Sequence, residues 1–170
     1  MSDAAAVDRL VASVAAALTA RAATMATAES CTGGLVAAAC TSRAGSSAWF
    51  ERGVVTYSNA AKGELLDVEP ALIARHGAVS GEVARAMAEG MLLRSPARFA
   101  VAVTGVAGPD GGTPAKPVGT VWIATAARGG PAEATLLSAG GERAAVRERS
   151  VVRALEVLLA RIEATPATPA

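Results

Sequence analysis

Residues 24–35 read TMATAESCTGGL, and this stretch decides the fold. Its first part, Thr24 to Ala28, is short and apolar, which predicts a buried strand. The strand runs directly into a polar turn with two glycines, Glu29-Ser30-Cys31-Thr32-Gly33-Gly34. Leu35 to Cys40 then supplies small residues that suit a closely packed helix. A strand, a tight turn and a helix in this order are typical of an α/β fold.

The rest of the chain continues this alternation. Four further strands are predicted, over residues 54–57, 99–104, 119–127 and 132–138. The last two are joined by an Arg-Gly-Gly-Pro turn and are predicted to pair as an antiparallel hairpin. Helices are predicted between the earlier strands and again from about Glu142 to Ala164. We therefore expect a three-layer α/β/α sandwich with a mixed, mostly parallel sheet.

Length and composition predict a single domain and argue against a membrane protein or a nucleic-acid-binding protein. A length of 170 residues predicts one domain, which we expect over residues 1–164, with a disordered Pro- and Ala-rich tail over residues 165–170. Apolar residues make up 52%, but no apolar run approaches the roughly 18 residues of a membrane span. A net charge of +1 and 3% aromatic residues argue against a nucleic-acid-binding surface.

The cysteine content and the N-terminal sequence indicate in which cellular compartment the protein is expected. Two cysteines and one histidine are too few for a typical zinc site. Nothing at the N-terminus resembles a secretion signal. We therefore expect a soluble, cytoplasmic protein with reduced thiols, no bound metal, and neither nucleic acid nor membrane as a partner.

Three loops follow predicted strands, and ligand sites in open α/β sheets gather at the carboxyl ends of strands. In the first loop, Ser30 lies between a strand and a helix, where unpaired backbone N–H groups can hold an anion or an oxyanion. The candidate binding residues beside it are Cys31, Thr32 and Gly33. The alternative is a capped helix start with Ser30 or Thr32 as the N-cap. Cys31 is a second candidate nucleophile, because a helix N-terminus favours the thiolate. It is the weaker candidate, because a cysteine at such a position is more often a small, buried packing residue.

A serine nucleophile needs a base. The lone histidine, His76, precedes Gly77 at a predicted helix end and looks like a capping residue, so a Ser-His-Asp triad has little support. Lys62 follows the second strand by about one helical turn and offers a Ser-Lys dyad if burial keeps its amine partly neutral. The commoner alternative is a solvated helix lysine. Tyr57, at the end of that strand, is a candidate to relay a proton or to pack.

The third loop, residues 105–118, is long and rich in glycine. Its glycines can aim backbone N–H groups at an anion, and the alternative is a flexible surface loop. The candidate binding residues here are Thr104, Gly105, Ala107 and Gly108. Lys116 in this loop and Arg143 at the start of the last helix are candidate phosphate ligands. Three further arginines of that helix are interpreted as a solvated face: Arg147, Arg149 and Arg153.

Five motifs, taken together and in order, resemble the C-terminal domain of the CinA family. They are AESCTGGL at 28–35, GVVTYSN at 53–59 followed by Lys62, HGAVS at 76–80, TGVAGPDG at 104–111 and KPVGT at 116–120. The resemblance extends from the first predicted helix to the last. Each motif alone is modest, but the combination is highly specific.

The resemblance implies a nicotinamide-nucleotide amidase, which converts nicotinamide mononucleotide to nicotinate mononucleotide and ammonia. It implies that Ser30 is the nucleophile and Lys62 the base. It also implies four pocket residues: Tyr57, Thr104, Gly105 and Arg143. Self-association as a homodimer or larger oligomer is expected. The ADP-ribose pyrophosphatase activity of longer members belongs to an additional N-terminal domain and is not expected here.

These observations combine into one mechanistic hypothesis and one rival. In the hypothesis, Lys62 accepts the Ser30 proton, and backbone N–H groups near Cys31 to Gly33 stabilise the oxyanion. Protonated Lys62, with or without help from Tyr57, then delivers a proton to the leaving ammonia, and no metal or organic cofactor takes part. The rival is a non-catalytic nucleotide-binding regulatory module that uses the same glycine loops and Arg143. A purely structural protein would leave the three loops unexplained.

Overall fold

The structure, a computed structural model, describes residues 3–167. Its strands are β1 (Met25–Glu29), β2 (Phe50–Val55), β3 (Phe99–Gly105), β4 (Thr120–Ala127) and β5 (Glu133–Ser138). Its helices are α1 (Asp3–Thr19), α2 (Leu35–Thr41), α3 (Asn59–Leu66), α4 (Pro70–His76), α5 (Gly81–Leu93) and α6 (Arg143–Ala164). A single 3₁₀ turn, Ser46–Ala48, precedes β2.

The strands form one mixed sheet in the order β2-β1-β3-β4-β5. β1 pairs in parallel with β2 and β3, whereas β4 pairs antiparallel with β3 and β5. β4 therefore runs against the other strands, and most of the sheet shares one direction. Glu29 of β1 lies opposite Val55 of β2 and Val103 of β3. The carboxyl ends of these three strands consequently reach the same edge of the sheet.

Helices cover both faces of the sheet. One apolar core joins the sheet to α1, α2 and α6, and a second joins it to α5 with α3 and α4 alongside. Successive strand residues point to opposite faces, so β3 contributes Phe99, Val101 and Val103 to the first core but Ala100 and Ala102 to the second. The predicted three-layer α/β/α sandwich is confirmed.

The alanine-rich face allows α5 to pack closely. α5 also touches the end of α3, where a β-carbon built on Gly90 would lie 2.0 Å from the Leu66 carbonyl oxygen. Only glycine fits so near a backbone atom. Because α3 carries Lys62 one turn before Leu66, this contact helps to fix that lysine over the end of the sheet.

Most predicted elements are confirmed, but β2 is displaced. It begins at Phe50 rather than at residue 54, and it ends at Val55. β2 is an edge strand whose Arg52 and Gly53 are exposed, so the apolar pattern that marks a strand begins only at its second half. No helix within residues 3–167 is long and apolar enough to cross a membrane. The predicted disorder of residues 165–170 falls partly outside the described residues and stays a prediction.

Candidate active site

An open cleft of about 270 Å³ lies where the carboxyl ends of β1, β2 and β3 meet. Ser30 and Cys31 follow β1, Tyr57 follows β2, and Thr104 with Gly105 ends β3. The remaining walls come from α3, the segment before α5, the loop after β3 and the start of α6. Residues predicted from three distant parts of the sequence therefore meet in one place.

Lys62 is buried against Ser30. Its Nζ lies 3.1 Å from Ser30 Oγ and 2.8 Å from the carbonyl oxygen of Thr56. The whole lysine residue is 1% exposed. The structure thus brings the candidate nucleophile and the candidate base into hydrogen-bond contact across 32 positions of sequence. This is the arrangement that nucleophilic catalysis by a hydroxyl requires.

Burial of Lys62 favours its neutral form. Within residues 3–167, no carboxylate forms an ion pair with this amine. Desolvation disfavours the ammonium ion and lowers the pKa of Lys62 below the ordinary lysine value. A neutral amine can accept the Ser30 proton on its lone pair while it donates to the Thr56 carbonyl.

The turn that carries Ser30 is fastened by the residue before it. Glu29 is 1% exposed, and its carboxylate accepts hydrogen bonds from the N–H groups of Gly34 at 3.0 Å, Val36 at 3.1 Å and Ala37 at 2.8 Å. These donors lie at the start of α2. The helix N-terminus therefore already holds an anion supplied by the protein, and it is not free to bind the substrate.

The alternative interpretation, in which Ser30 or Thr32 is the N-cap of α2, is wrong. Gly34 occupies the N-cap position with φ of 99°, and no side chain of that residue can cap the helix. The Glu29 carboxylate accepts three N–H groups where a hydroxyl typically satisfies one. Ser30 Oγ is left to face Lys62, which is the geometry a nucleophile needs.

Two N–H groups of this turn, those of Cys31 and Thr32, donate to no oxygen of the described residues, and of these two residues Cys31 lines the cleft. The N–H of Gly33 donates to the Ser30 carbonyl at 3.0 Å, and that of Gly34 donates to Glu29. The Cys31 N–H is therefore the candidate oxyanion donor. Thr32 and Gly33 lie in the turn but not in the cleft wall.

The Cys31 thiol is poorly suited to attack. The residue is 6% exposed, and burial raises the pKa of its thiol to about 11. Since the thiolate is the nucleophile, a thiol that stays protonated at neutral pH leaves the hydroxyl of Ser30 as the better candidate.

Arg143 joins two sides of the cleft mouth. From the first residue of α6, its Nη1 donates to the Gly108 carbonyl at 2.8 Å and its Nη2 donates to the Tyr57 hydroxyl at 3.0 Å. Tyr57 is 61% exposed, and Arg143 is also exposed. A guanidinium at this rim has further N–H donors for a phosphate.

Lys116 lies outside the cleft wall. Its Nζ donates to the His76 carbonyl at 2.7 Å and so fastens the loop after β3 to the end of α4. This contact uses the amine that was predicted to meet a phosphate. The other residues predicted in that region, Thr104, Gly105, Ala107 and Gly108, do line the cleft.

Comparison with known proteins assigns the family. Residues 7–162 match the family model of the CinA C-terminal domain. The chain belongs to the CinA family. Among CinA relatives, the nicotinamide-nucleotide amidohydrolase PncC of Escherichia coli K12 is 52% identical over 142 residues, which cover 84% of this chain and 86% of the relative.

Two further CinA relatives show how the matches differ in extent. The CinA-like protein of Mycolicibacterium vanbaalenii is 57% identical over 134 residues, which cover 79% of this chain but 32% of the relative. This CinA chain therefore spans about a third of that relative's length. The crystal structure of competence/damage inducible protein CihA from Agrobacterium tumefaciens is 46% identical, with a TM-score of 0.89, covering 91% of this chain and 94% of the other.

Sequence reasoning missed two charged residues of this CinA site. Glu29 immediately precedes the candidate nucleophile Ser30, and an acidic residue at the end of a buried strand was a signal that it has a partner. Arg147 was interpreted as solvated, but its Nη2 donates to the Thr32 carbonyl at 3.1 Å. Its spacing of four residues from Arg143 places both on one side of the helix, which was the available signal.

The same region of the CinA domain holds little that could bind a metal. Within residues 3–167, no group of three or more His, Cys, Asp or Glu side chains is arranged to hold a metal ion.

Proposed function

We propose that this protein hydrolyses the carboxamide of nicotinamide mononucleotide to nicotinate mononucleotide and ammonia. The observation that carries the proposal is the buried contact of 3.1 Å between Lys62 Nζ and Ser30 Oγ in an open cleft. A relative that covers most of this chain, and is 52% identical to it, bears the name of a nicotinamide-nucleotide amidohydrolase. The contact supports nucleophilic catalysis by Ser30, and the relative's name supports an amide as the substrate.

The first half of the reaction is acyl transfer to Ser30. The Ser30 oxygen forms a bond to the carboxamide carbon, its proton passes to neutral Lys62, and the carbonyl electron pair moves to the oxygen. The Cys31 N–H stabilises the resulting oxyanion. When the pair returns, the carbon–nitrogen bond breaks, and protonated Lys62 gives its proton to the leaving nitrogen, which departs as ammonia.

The second half releases the acid. Water attacks the nicotinoyl ester on Ser30 and passes one proton to Lys62. The bond between the acyl carbon and Ser30 Oγ then breaks, and Lys62 returns the proton to that oxygen. The acid product releases its remaining proton to solvent and leaves as a carboxylate, and the dyad is restored. This cycle needs no metal and no organic cofactor.

Residues at the mouth of the cleft are proposed to bind the phosphate of the nucleotide. We assign the phosphate to Arg143 and the backbone around Gly108, since both line the cleft and Lys116 does not. The positive charge of the pyridinium ring withdraws electrons from the carboxamide and makes its carbon more electrophilic. Tyr57 at the rim is assigned to binding, because its hydroxyl is held by Arg143.

Three properties accompany the proposed activity. The substrate is a small nucleotide, so neither nucleic acid nor a membrane is required. We further propose a cytoplasmic location and self-association as a homodimer or larger oligomer. Light scattering of the purified protein tests the last of these.

The deciding experiment measures ammonia release from nicotinamide mononucleotide. The wild type is compared with Ser30→Ala, Lys62→Ala and a control, Ser47→Ala, whose serine is exposed on the 3₁₀ turn. We expect both site variants to lose about 10³-fold or more in kcat and the control to match the wild type. Circular dichroism and binding of nicotinate mononucleotide show whether each variant is folded.

Two outcomes would redirect the interpretation. Full activity of Ser30→Ala would remove Ser30 as the nucleophile. Binding of the nucleotide by a wild type that releases no ammonia would favour the non-catalytic binding module.

A further inference from the structure

Arg147 contacts the turn that carries Ser30 but does not line the cleft. It is on α6, one turn after Arg143, and its Nη2 donates to the Thr32 carbonyl at 3.1 Å. The residue is half-buried, and its Nε is fully buried with no hydrogen-bond partner among the described residues. Within residues 3–167, no carboxylate pairs with this guanidinium. Its positive charge therefore acts on the turn with no carboxylate in direct contact with it.

Two peptide groups connect Arg147 to the cleft. The Thr32 carbonyl that accepts from Arg147 shares its peptide with the N–H of Gly33, and this N–H donates to the Ser30 carbonyl at 3.0 Å. The Ser30 carbonyl in turn shares its peptide with the N–H of Cys31. In a trans peptide the carbonyl and the N–H point in opposite directions, so the chain of hydrogen bonds ends at the Cys31 N–H.

Hydrogen bonds in such a chain polarise one another. A cation that pulls electron density from the first carbonyl makes the N–H of the same peptide a stronger donor, and the effect passes to the next peptide. No oxygen of the described residues accepts from the last donor of the chain, and its residue lines the cleft. A donor prepared in this way stabilises developing negative charge without rearranging during the reaction.

We propose that Arg147 is a positioning residue that orients and polarises the Cys31 N–H for the oxyanion. This inference rests on the proposed acyl transfer to Ser30. It assigns Arg147 a part in the transition state although the side chain touches neither the substrate nor Ser30 Oγ. The opposite end of the same turn is held by Glu29, whose carboxylate takes the N–H groups of Gly34 and α2. Glu29 thus binds N–H groups at one end of the turn, and Arg147 binds a carbonyl within it.

The test compares Arg147→Met, Arg147→Lys and Arg153→Met. Methionine keeps the apolar stem and removes the charge, lysine keeps a charge and a donor, and Arg153 pairs with Glu156 farther along α6. For ammonia release we expect Arg147→Met to lower kcat about tenfold or more with KM within about twofold, because only the transition state carries the oxyanion. Arg147→Lys should recover part of that loss, and Arg153→Met should match the wild type.

A second readout separates this inference from the choice of substrate. With a fluorophosphonate, Ser30 Oγ forms a bond to phosphorus and gives its proton to Lys62, fluoride leaves, and the phosphoryl oxygen lies where the oxyanion would lie. We expect Arg147→Met to slow the labelling of Ser30 about tenfold, even if nicotinamide mononucleotide proves not to be the substrate. The inference is overturned if wild type and Arg147→Met are labelled equally fast. It is also overturned if kcat, KM and thermal stability of Arg147→Met change together and Arg147→Lys gives no recovery.

Discussion

The Tyr57 hydroxyl accepts a hydrogen bond of 3.0 Å from Arg143 Nη2, and the ring around it is largely exposed. This position favours a binding role over proton relay. We expect Tyr57→Phe to raise KM for nicotinamide mononucleotide about three- to tenfold, the value of one hydrogen bond, with kcat within about threefold of the wild type. Steady-state kinetics measure both constants. A fall of kcat by about 100-fold at unchanged KM would return the tyrosine to the proton path.

The burial of Lys62 predicts the pH dependence of activity. The amine must be neutral to accept the Ser30 proton, and burial lowers the pKa of Lys62. We therefore expect kcat/KM to rise with pH and to level off below the ordinary lysine pKa. Lys62→Arg should be inactive at every pH, because a guanidinium stays protonated. A flat profile for the wild type would contradict a lysine base.

The same lysine predicts a pH dependence of stability. Since the folded pKa of Lys62 lies below the unfolded one, the unfolded chain binds more protons between these two values. The unfolding free energy of the wild type should therefore rise, relative to Lys62→Met, as pH increases through that window, and the difference should be constant below it. Urea titrations at a series of pH values measure it. Parallel curves for the two proteins would mean that Lys62 is charged in the folded state.

The Cys31 thiol should be dispensable and slow to react. Burial raises its pKa to about 11, so little thiolate is present at neutral pH. We expect Cys31→Ala to keep kcat within about threefold, and iodoacetamide to modify the folded wild type far more slowly than the unfolded chain. Rapid alkylation of Cys31 that abolishes activity, together with an inactive Cys31→Ala, would reopen the thiol as nucleophile.

Glu29 should contribute mainly to stability and to the shape of the turn. Replacing its carboxylate by an amide leaves one acceptor oxygen for three N–H groups and places an NH₂ against donors. We expect Glu29→Gln to lower the unfolding free energy by about 2–4 kcal/mol in urea titrations. Glu64→Gln, on the exposed side of α3, is the control and should change it by less than about 0.5 kcal/mol. Equal stability of the two variants would show that the carboxylate is not needed.

The contact between α5 and α3 can be tested with two glycines. A β-carbon at Gly90 would meet the Leu66 carbonyl at 2.0 Å, whereas one at Gly63 has no atom nearer than 3.5 Å. We expect Gly90→Ala to lower the unfolding free energy by about 2 kcal/mol or more. Gly63→Ala should leave it unchanged or raise it by up to about 1 kcal/mol, since alanine favours the helix. Thermal melts distinguish the two, and a harmless Gly90→Ala would mean that the helices move apart readily.

Local patterns in the sequence predicted much of this fold. The alternation of strands and helices, the hairpin of β4 and β5, and the long loop after β3 all follow from periodicity and turn residues. The edge strand β2 was placed too late, because exposed Arg52 and Gly53 hide its first half. An edge strand needs only one covered face, so the apolar signal is weak there.

The candidate site was predictable in its residue types but not in all its contacts. The Ser-Lys pair could be proposed because each residue follows a strand, and parallel strands end at one edge of a sheet. The roles of Glu29, Lys116 and Arg147 depend on which backbone groups lie within reach after packing. The partner of Arg147 is a backbone carbonyl, and the sequence does not indicate which backbone carbonyls a side chain will reach. Arg147 was therefore interpreted like any other arginine on a helix.

The position of α6 in the chain means that it is synthesised after the other parts of the candidate site. Ser30 and Lys62 both precede the last hundred residues, whereas Arg143 and Arg147 come from the final helix. At ribosomal speeds these arginines emerge on the order of ten seconds after Lys62. A nascent chain without α6 therefore carries the candidate nucleophile and base but lacks the arginines that we propose hold the phosphate and prepare the oxyanion donor. We therefore expect activity to appear only after α6, the helix that also closes one core, has been made and has packed on the sheet.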